Sequence, residues 1–334
     1  MYLLVLACID DQQRQMGDPP SVTLPPTEPG RTTETTPGST TSDTGGSTVT
    51  TEVPVDCTVL PTGPFEMTTV PGDWGTDEDF DFDAEGWHVS MNYGHLVRRS
   101  LKEEFEILSP SVGDWTAGTR VLPDGNVVVA VPAYNNVVKI DPSTGVVDLI
   151  TAGILWPNGV EITRDGKWLF VSGSTDSTIR QLELATGEGF VVAQAIPGAN
   201  GLVLTNAEDA LFVTTCTGEG VFKIPRLDET EWGEPELFWR QPNPMLCVEG
   251  VQVDACDNVY FTEWDTENVY RAVADGSAPA EVVAKVNTYW PPNMRWGVGL
   301  GGWDANRLYI NDRSLGQLYT FDPQMPGKKH IFAP

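Results

Sequence analysis

The chain has 334 residues, a formal net charge of −27 and a sequence pI of about 4.2. Such an acidic surface excludes a nucleic acid as the partner, because too few positive charges are available to neutralise phosphates. Cations and neutral small molecules remain compatible with it.

The first eight residues resemble a bacterial export signal. The sequence MYLLVLAC is a short apolar run that ends in Leu-Ala-Cys, which is similar to a lipobox and makes Cys8 the predicted site of lipidation. The run is too short to span a membrane and has no basic start. Either the true start codon lies upstream of Met1, or the match to a lipobox is accidental. We predict a bacterial cell-envelope lipoprotein that contacts the membrane only through this lipid anchor, or a secreted protein.

Residues 9–60 form a predicted disordered linker. Within it, the stretch 18–54 is dominated by Ser, Thr, Pro and Gly and lacks the apolar residues that a core requires. A lipid anchor followed by such a tether fits a protein held at a cell surface.

Residues 61–334 contain six repeats of one pattern. Each repeat begins with a small, carboxamide or carboxylate residue, continues with a short apolar run, turns, and ends with a second apolar run. The leading residues are Glu78, Ala117, Asn158, Asn200, Glu249 and Gly297, with spacings of 39, 41, 42, 49 and 48 residues. A period of about 40 residues that contains only strand-like segments predicts an all-β fold, a six-bladed β-propeller.

The third repeat indicates four antiparallel strands per blade. Its segments GVEIT and WLFVS flank Asp165-Gly166, a dipeptide that favours a hairpin, and TIRQLEL and FVVAQAI follow. The segment FEMTTV at 65–70 resembles the outermost strand FVVAQAI. Either FEMTTV or KHIFA, near the other end of the chain, could close the ring by completing a blade that the other end begins.

The four cysteines after Cys8 fit two disulfides in an oxidising compartment. Cys216 follows a second strand and Cys247 precedes a first strand on the same face of neighbouring blades. We therefore pair Cys216 with Cys247, which leaves Cys57 to pair with Cys256. Four buried free thiols are the alternative.

The leading residues of the repeats predict a cation site. If these positions face the central channel, Glu78, Asn158, Asn200 and Glu249 bring two carboxylates and two carboxamides to one axis. Calcium prefers such oxygen ligands. Without a cation, the two carboxylates would repel each other until one took up a proton. The alternative is that the Asn-Gly and Glu-Gly dipeptides only form turns.

The segment PNGVEITRDGKWLFVSGS is the most specific part of a resemblance that covers about 270 residues. It resembles the six-bladed propellers of the regucalcin and gluconolactonase (SMP-30-like), diisopropylfluorophosphatase, paraoxonase and strictosidine-synthase type. The resemblance implies a divalent cation, usually calcium, bound in the channel by Glu78, Asn158, Asn200 and Glu249. Two positions depart from that pattern: Glu249 replaces an aspartate, and Ala117 replaces an asparagine that the second blade often supplies.

Tryptophans precede the leading positions of four repeats, and we expect them at the mouth of the channel. They are Trp74, Trp115, Trp156 and Trp296. An aromatic mouth suits a fairly apolar small molecule, and we assign the last three residues to the substrate pocket. The alternative is that these side chains wedge between blades.

These features predict a monomeric hydrolase of lactones or esters that depends on calcium or another divalent cation. The cation would polarise the carbonyl, and Glu249 or Glu78 would be the catalytic general base. The three histidines, His88, His95 and His330, are too scattered for a zinc site. A non-catalytic cell-surface propeller that binds a ligand or protein is one alternative function. A lyase similar to strictosidine synthase, with a catalytic carboxylate and no channel metal, is another.

Overall fold

A computed structural model describes residues 55–216, 218–288 and 290–333. In these residues, 24 strands form six four-stranded antiparallel sheets, and the helical content is one 3-10 turn at Pro132–Tyr134. The predicted six-bladed propeller with four antiparallel strands per blade is therefore confirmed. Nothing helical in the described ranges is long and apolar enough to cross a membrane. Cys8 and the linker up to residue 54 lie outside the described residues, so the predictions for them stay predictions.

The strands follow the chain from blade to blade. The first strand, β1, covers Thr68–Val70. Blade 1 contains β2 (Phe80–Phe82), β3 (His88–Asn92), β4 (His95–Arg99) and β5 (Phe105–Ile107). Blade 2 contains β6 (Thr119–Val121), β7 (Val127–Val131), β8 (Asn136–Ile140) and β9 (Val147–Ala152). Blade 3 contains β10 (Pro157–Ile162), β11 (Trp168–Gly173), β12 (Thr178–Glu183) and β13 (Gly189–Ala193).

The second half of the ring repeats this order. Blade 4 contains β14 (Ala199–Leu204), β15 (Ala210–Thr215), β16 (Gly220–Pro225) and β17 (Glu236–Arg240). Blade 5 contains β18 (Val248–Val253), β19 (Val259–Glu263), β20 (Asn268–Ala272) and β21 (Glu281–Lys285). Blade 6 contains β22 (Met294–Trp296), β23 (Leu308–Asn311) and β24 (Leu318–Phe321).

The early strand β1 completes blade 6 and closes the ring. It pairs antiparallel with β24, with Thr68 opposite Thr320 and Val70 opposite Leu318. Of the two segments that could have closed the ring, FEMTTV therefore does so. The segment KHIFA adds no strand to a blade.

The innermost strands are buried along their whole length. All six residues of β10, of β14 and of β18 are buried. Neighbouring blades cover both faces of these strands, which explains their short, nearly continuous apolar runs. The outer strands are more exposed, and β5 is exposed throughout. The apolar core consists of clusters between adjacent blades.

All innermost strands begin at one end of the channel, which we call the upper end. The loops between second and third strands return to this end, whereas turns such as Asp165-Gly166 lie at the lower end. Residues 326–333 run across the lower end of the channel. There the Lys328 amide donates to Val253 O (3.2 Å), and its Nζ donates to Leu204 O (2.8 Å).

Both predicted disulfides are present. Cys216 pairs with Cys247, and Cys57 pairs with Cys256. The first bridge joins blades 4 and 5 at the upper end. The second ties the start of the described chain to the turn between β18 and β19 at the lower end.

Candidate functional site

The leading residues of four blades hold the same position in the ring. Hydrogen bonds from a neighbouring blade fix their backbone carbonyls. Gly118 N donates to Asn158 O (2.9 Å) and Ser172 Oγ donates to Asn200 O (2.6 Å). Thr214 Oγ1 donates to Glu249 O, and Asn311 Nδ2 donates to Glu78 O (2.6 Å). This repeated contact holds the leading side chains at one level of the channel.

The equivalent position in blade 6 is Asn293 rather than Gly297. The Asn293 amide donates to Asn311 Oδ1 (3.1 Å), and Asn311 is the residue that contacts the next leading carbonyl. Gly297 instead follows β22, where a Cβ would lie 2.1 Å from Asp304 O. Glycine is needed there for close approach of a loop. The dipeptide Pro292-Asn293, which matches Pro-Asn at the start of β10, was the signal for the correct position.

The side chain of Asn293 has partners within its own blade. Its Oδ1 accepts from Met294 N (2.8 Å) and from Arg295 NH1 (3.2 Å). Ala117 in blade 2 brings no polar side chain. The predicted ligand residues Glu78, Asn158, Asn200 and Glu249 therefore remain the candidate set, and we call them the upper cluster.

The upper cluster is buried. Its four side chains are 5, 8, 6 and 3% exposed, in the order Glu78, Asn158, Asn200 and Glu249. Within the described ranges, the carboxylate of Glu78 and the carboxamide of Asn158 form no hydrogen bond with protein. Neither group has a polar atom that is both fully buried and unpartnered, so both are accessible from the channel and available to a ligand.

Burial is the main cause that raises the pKa values of both carboxyl groups. Burial raises the pKa of Glu78 well above its usual range, and the charge of Glu249 raises it further. Burial also raises the pKa of Glu249 to about 7, although the side chain of Asn200 opposes this shift. Neither carboxylate forms a salt bridge within the described part of the chain. The upper cluster therefore attracts a positive charge.

One arginine lies close enough to influence the upper cluster. The charge of Arg313 lowers the pKa values of both Glu78 and Glu249, but its effect is smaller than that of burial. Its guanidinium lies over the ring of Trp115, 5.0 Å from the ring centre. Arg313 belongs to the loop between β23 and β24, and the sequence repeats gave no indication of it.

A disulfide borders the upper cluster on the side of blade 5. Cys247 Sγ lies 2.7 Å from Glu249 Oε1. The two sulfur atoms of the Cys216–Cys247 bridge and a carboxylate oxygen of Glu249 lie within 4.8 Å of one another. This trio resembles a metal-binding group, but a disulfide offers no thiolate to a metal.

Two tryptophan pairs lie at the upper end. Trp115 and Trp156, both predicted there, contact each other with ring centres 5.5 Å apart. Trp264 and Trp290 stack 5.7 Å apart on the side of blades 5 and 6. The sequence interpretation did not include this second pair, because Trp264 comes from a loop between second and third strands.

The other two predicted mouth tryptophans lie elsewhere. Trp296 is the last residue of β22, where it packs edge-on against Tyr260 and beside Gly327 of the segment at the lower end. Its assignment to the substrate pocket followed from taking Gly297 as the leading residue. Trp74 is 2% exposed and wedges against Trp303 between blades 1 and 6.

The histidines do not join the upper cluster. His88 is buried and stacks on Phe80, and burial lowers its pKa to about 3. His95 Nδ1 lies 3.1 Å from Ser109 O. His330 Nε2 lies 2.9 Å from Asp81 Oδ1 at the lower end.

Deeper in the channel lies a second charged group, in which the charges are paired. We call it the lower network; its members are Asp79, Asp81, Arg120, Glu161, Arg295, Lys328 and His330. Arg120 contacts Asp79 at 2.8 Å and Glu161 at 3.0 Å, and Arg295 contacts Asp79 at 2.8 Å. Burial raises the pKa of Asp79 to about 7, and Arg120 opposes this shift.

No protein-family model and no curated protein sequence matches this chain. Solved structures match its fold. A gluconolactonase from Xanthomonas campestris is 16% identical, with a TM-score of 0.62 over 82% of this chain and 94% of its own. Regucalcin from Agrobacterium tumefaciens, a calcium-binding protein, is 16% identical, with a TM-score of 0.64 over 81% and 98%. Virginiamycin B lyase from Staphylococcus aureus is 13% identical, with a TM-score of 0.56 over 77% and 99%.

These similarities establish a shared propeller fold. Propellers of one fold carry out different reactions, as the names of these three proteins illustrate. The shared fold therefore assigns no reaction to this chain.

Proposed function

We propose that this protein is a hydrolase of lactones or esters that depends on a divalent cation, with calcium as the first candidate. The observation that carries the proposal is the pair of buried carboxylates, Glu78 and Glu249, which repel each other and have no basic partner in direct contact. Burying unpaired charges is costly unless a cation or a proton compensates them. A divalent cation would balance both charges at once.

The donor set of the upper cluster fits calcium. Glu78, Asn158, Asn200 and Glu249 offer four protein oxygens, and calcium takes six to eight oxygen ligands, including water. The free carboxylate of Glu78 and the free carboxamide of Asn158 are the ligand groups that such an ion needs. The cation, when bound, would polarise the carbonyl group of the substrate.

Glu249 is our candidate for the general base, with Glu78 as the alternative. A buried carboxylate beside the reacting groups can accept a proton from water and give it up again. Glu249 would take one proton from the attacking water and return it to the oxygen that leaves. The products would be an acid and an alcohol, or one hydroxy acid from a lactone.

The upper end favours an apolar or aromatic substrate. Trp156 and the pair Trp264–Trp290 are partly exposed and offer flat apolar surfaces at the upper end, whereas Trp115 is buried in the core beneath Trp156. Large exposed apolar side chains also occur on the upper loops, namely Tyr93, Tyr134, Leu155, Met245 and Leu315. An aryl ester or an alkyl-substituted lactone fits such a mouth better than a sugar lactone does.

The disulfides support a location outside the cytosol. Two bridges favour an oxidising compartment outside the cytosol. We also propose that the protein is a lipoprotein of the cell envelope, anchored through Cys8, and that it is a monomer.

A propeller that binds a ligand without catalysis is the second candidate. Arg313 supports it, because a resident guanidinium already offsets part of the negative charge of the upper cluster. Ala117 supports it too, because blade 2 contributes no ligand.

Calcium titration of the metal-free protein, prepared with a chelator that is then removed, tests the proposal. Calcium at about 100 times its Kd should raise the free energy of unfolding by about 2.7 kcal/mol. Glu78→Gln and Glu249→Gln should each abolish this gain, whereas Glu188→Gln, at an exposed position, should keep it. Identical melting of the wild type with chelator and with calcium would contradict the metal site.

Turnover separates the two candidate functions. A panel of aryl esters and lactones is assayed with calcium and with chelator. Turnover that the chelator abolishes supports the hydrolase. Calcium binding without turnover of any substrate supports the binding propeller instead.

A further inference from the structure

The Cys216–Cys247 disulfide lies next to the two candidate ligands of blades 4 and 5. Cys247 precedes Glu249 by two residues. The Cys216 amide donates to Gly198 O (2.8 Å), and Gly198 precedes Asn200 by two residues. The bridge thus connects the segment that leads into β18 with the end of β15, which is hydrogen-bonded to the segment that leads into β14.

The disulfide also contacts a ligand side chain directly. Cys247 Sγ lies 2.7 Å from Glu249 Oε1, and both residues are buried. A disulfide sulfur has no proton to donate, so this contact restricts the position of the carboxylate without a hydrogen bond. The side chain of Asn200 faces the same carboxylate.

Few other contacts hold the Glu249 side chain. Apart from Asn200, no described residue forms a hydrogen bond or salt bridge with its carboxylate, and the sulfur of Cys247 is the other close neighbour. A glutamate side chain has several rotatable bonds, and fixing them on binding an ion costs conformational entropy. A group that holds the carboxylate in place beforehand reduces this cost.

We propose that the Cys216–Cys247 disulfide is a positioning element of the cation site, which holds Glu249 and Asn200 in the arrangement that binds the ion. This inference rests on the proposed function. Residues that orient metal ligands typically change metal affinity by about 10–100-fold when they are removed. A disulfide that only stabilised the fold would not act on affinity in this way.

The second disulfide is a matched control within the same chain. The Cys57–Cys256 bridge spans 199 residues and lies at the lower end, whereas the Cys216–Cys247 bridge spans 31 residues. Disulfides that close longer loops restrict the unfolded chain more strongly. We therefore expect Cys57–Cys256 to contribute more to the stability of the fold. We expect Cys216–Cys247 to contribute more to the affinity for calcium.

Calcium affinity is measured by isothermal titration calorimetry on two double variants, Cys216→Ala/Cys247→Ala and Cys57→Ala/Cys256→Ala. Cys8 is replaced by serine in every protein so that no third thiol exchanges with the bridges. We expect the Kd for calcium to rise tenfold or more in the first variant and less than twofold in the second. The unfolding temperature of the chelated protein should fall further in the second.

Reduction and reoxidation provide a measurement that does not depend on the first variant folding. In the Cys57→Ala/Cys256→Ala protein, a phosphine reductant opens only the Cys216–Cys247 bridge. The calcium affinity should fall on reduction and return on reoxidation. An affinity that stays unchanged in both the reduced protein and the first variant would overturn the positioning role while leaving the cation site intact. A wild-type protein that binds no calcium would overturn both proposals.

Discussion

The lower network and the upper cluster both bury carboxylates in one channel, but only the lower network surrounds them with basic side chains. In the lower network, the carboxylate of Asp79 contacts two guanidinium groups, and Asp81 contacts His330. Burial alone would raise the pKa of Asp81, yet His330 and Arg120 hold it below its usual range. Burial raises the pKa of Asp79 and that of Glu249 alike, to about 7, so the two groups differ in their ion pairs. Asp79 contacts two guanidinium groups, whereas the carboxylates of the upper cluster form no salt bridge within the described residues.

This difference distinguishes a structural use of buried charge from a functional one. A network whose members satisfy one another fixes the packing of the blades. A cluster of buried carboxylates without basic partners lowers the stability of the protein. It is expected where a ligand supplies the balancing positive charge. The contrast therefore supports assigning the cation to the upper cluster rather than to the more numerous charges below it.

The largest expected effect comes from breaking the lower network. Asp79→Asn removes the charge that the buried guanidinium groups of Arg120 and Arg295 both contact. Leaving buried charges without a partner typically costs about 3–5 kcal/mol. We expect a loss of this size in the free energy of unfolding, measured by urea denaturation. Asp148→Asn, at an exposed position of β9, should change it by less than about 0.5 kcal/mol.

If Asp79→Asn were as mild as the Asp148 control, the lower network would not be a structural unit. The comparison between the two ends would then lose its basis. A calcium response that survived in Asp79→Asn would agree with the separation of the two groups.

A smaller effect should appear in the pH dependence of the chelated protein. The folded-state pKa of Glu249 lies above that of the unfolded chain, so its protonation stabilises the fold at low pH. This contribution is lost as the pH rises through about 7. Between pH 5.5 and 8, wild-type stability should fall by about 1–3 kcal/mol more than that of Glu249→Gln.

Thermal unfolding of both proteins at the two pH values checks this expectation. Saturating calcium should remove most of the difference, because the ion compensates the ionised carboxylates. Parallel pH profiles for the wild type and Glu249→Gln in chelator would show that Glu249 carries no unfavourable charge.

Much of the architecture was predictable because its causes are local in sequence. Each blade repeats the same apolar runs and turns, so the six units and most of their leading residues could be aligned without a structure. The same alignment placed Cys216 and Cys247 on one face, which was enough to pair them. The residues Asn158 and Asn200 stand out because each lies before a glycine at the start of a buried strand.

Other parts of the site depended on features that do not repeat. In blade 6, the inner strand β22 has only three residues, and a methionine rather than a glycine follows Asn293. The glycine-rich loop after β22 has a sequence similar to the start of a blade. This shifted the predicted leading residue to Gly297 and moved Trp296 to the wrong end of the channel. Trp264 and Arg313 come from loops between second and third strands, whose lengths and compositions differ from blade to blade.

The smallest expected effect concerns Arg313. It gives the upper cluster a nearby positive charge, a feature that is otherwise found in the lower network. Its positive charge lowers the pKa values of Glu78 and Glu249 and should compete with a cation for their charge. Arg313→Gln should therefore tighten calcium binding by roughly fivefold, which corresponds to about 1 kcal/mol, a typical electrostatic contribution through partly exposed surroundings.

Calorimetric titration with calcium at pH 8 measures this change. Arg240→Gln is the matched control, because Arg240 is an arginine whose side chain is 68% exposed and pairs with Glu219 away from the channel. It should leave the Kd for calcium unchanged. A weaker affinity in Arg313→Gln would mean that the guanidinium supports the upper cluster rather than competing with the ion. That result would remove Arg313 as an argument for the binding propeller and leave Ala117 as the observation that favours it.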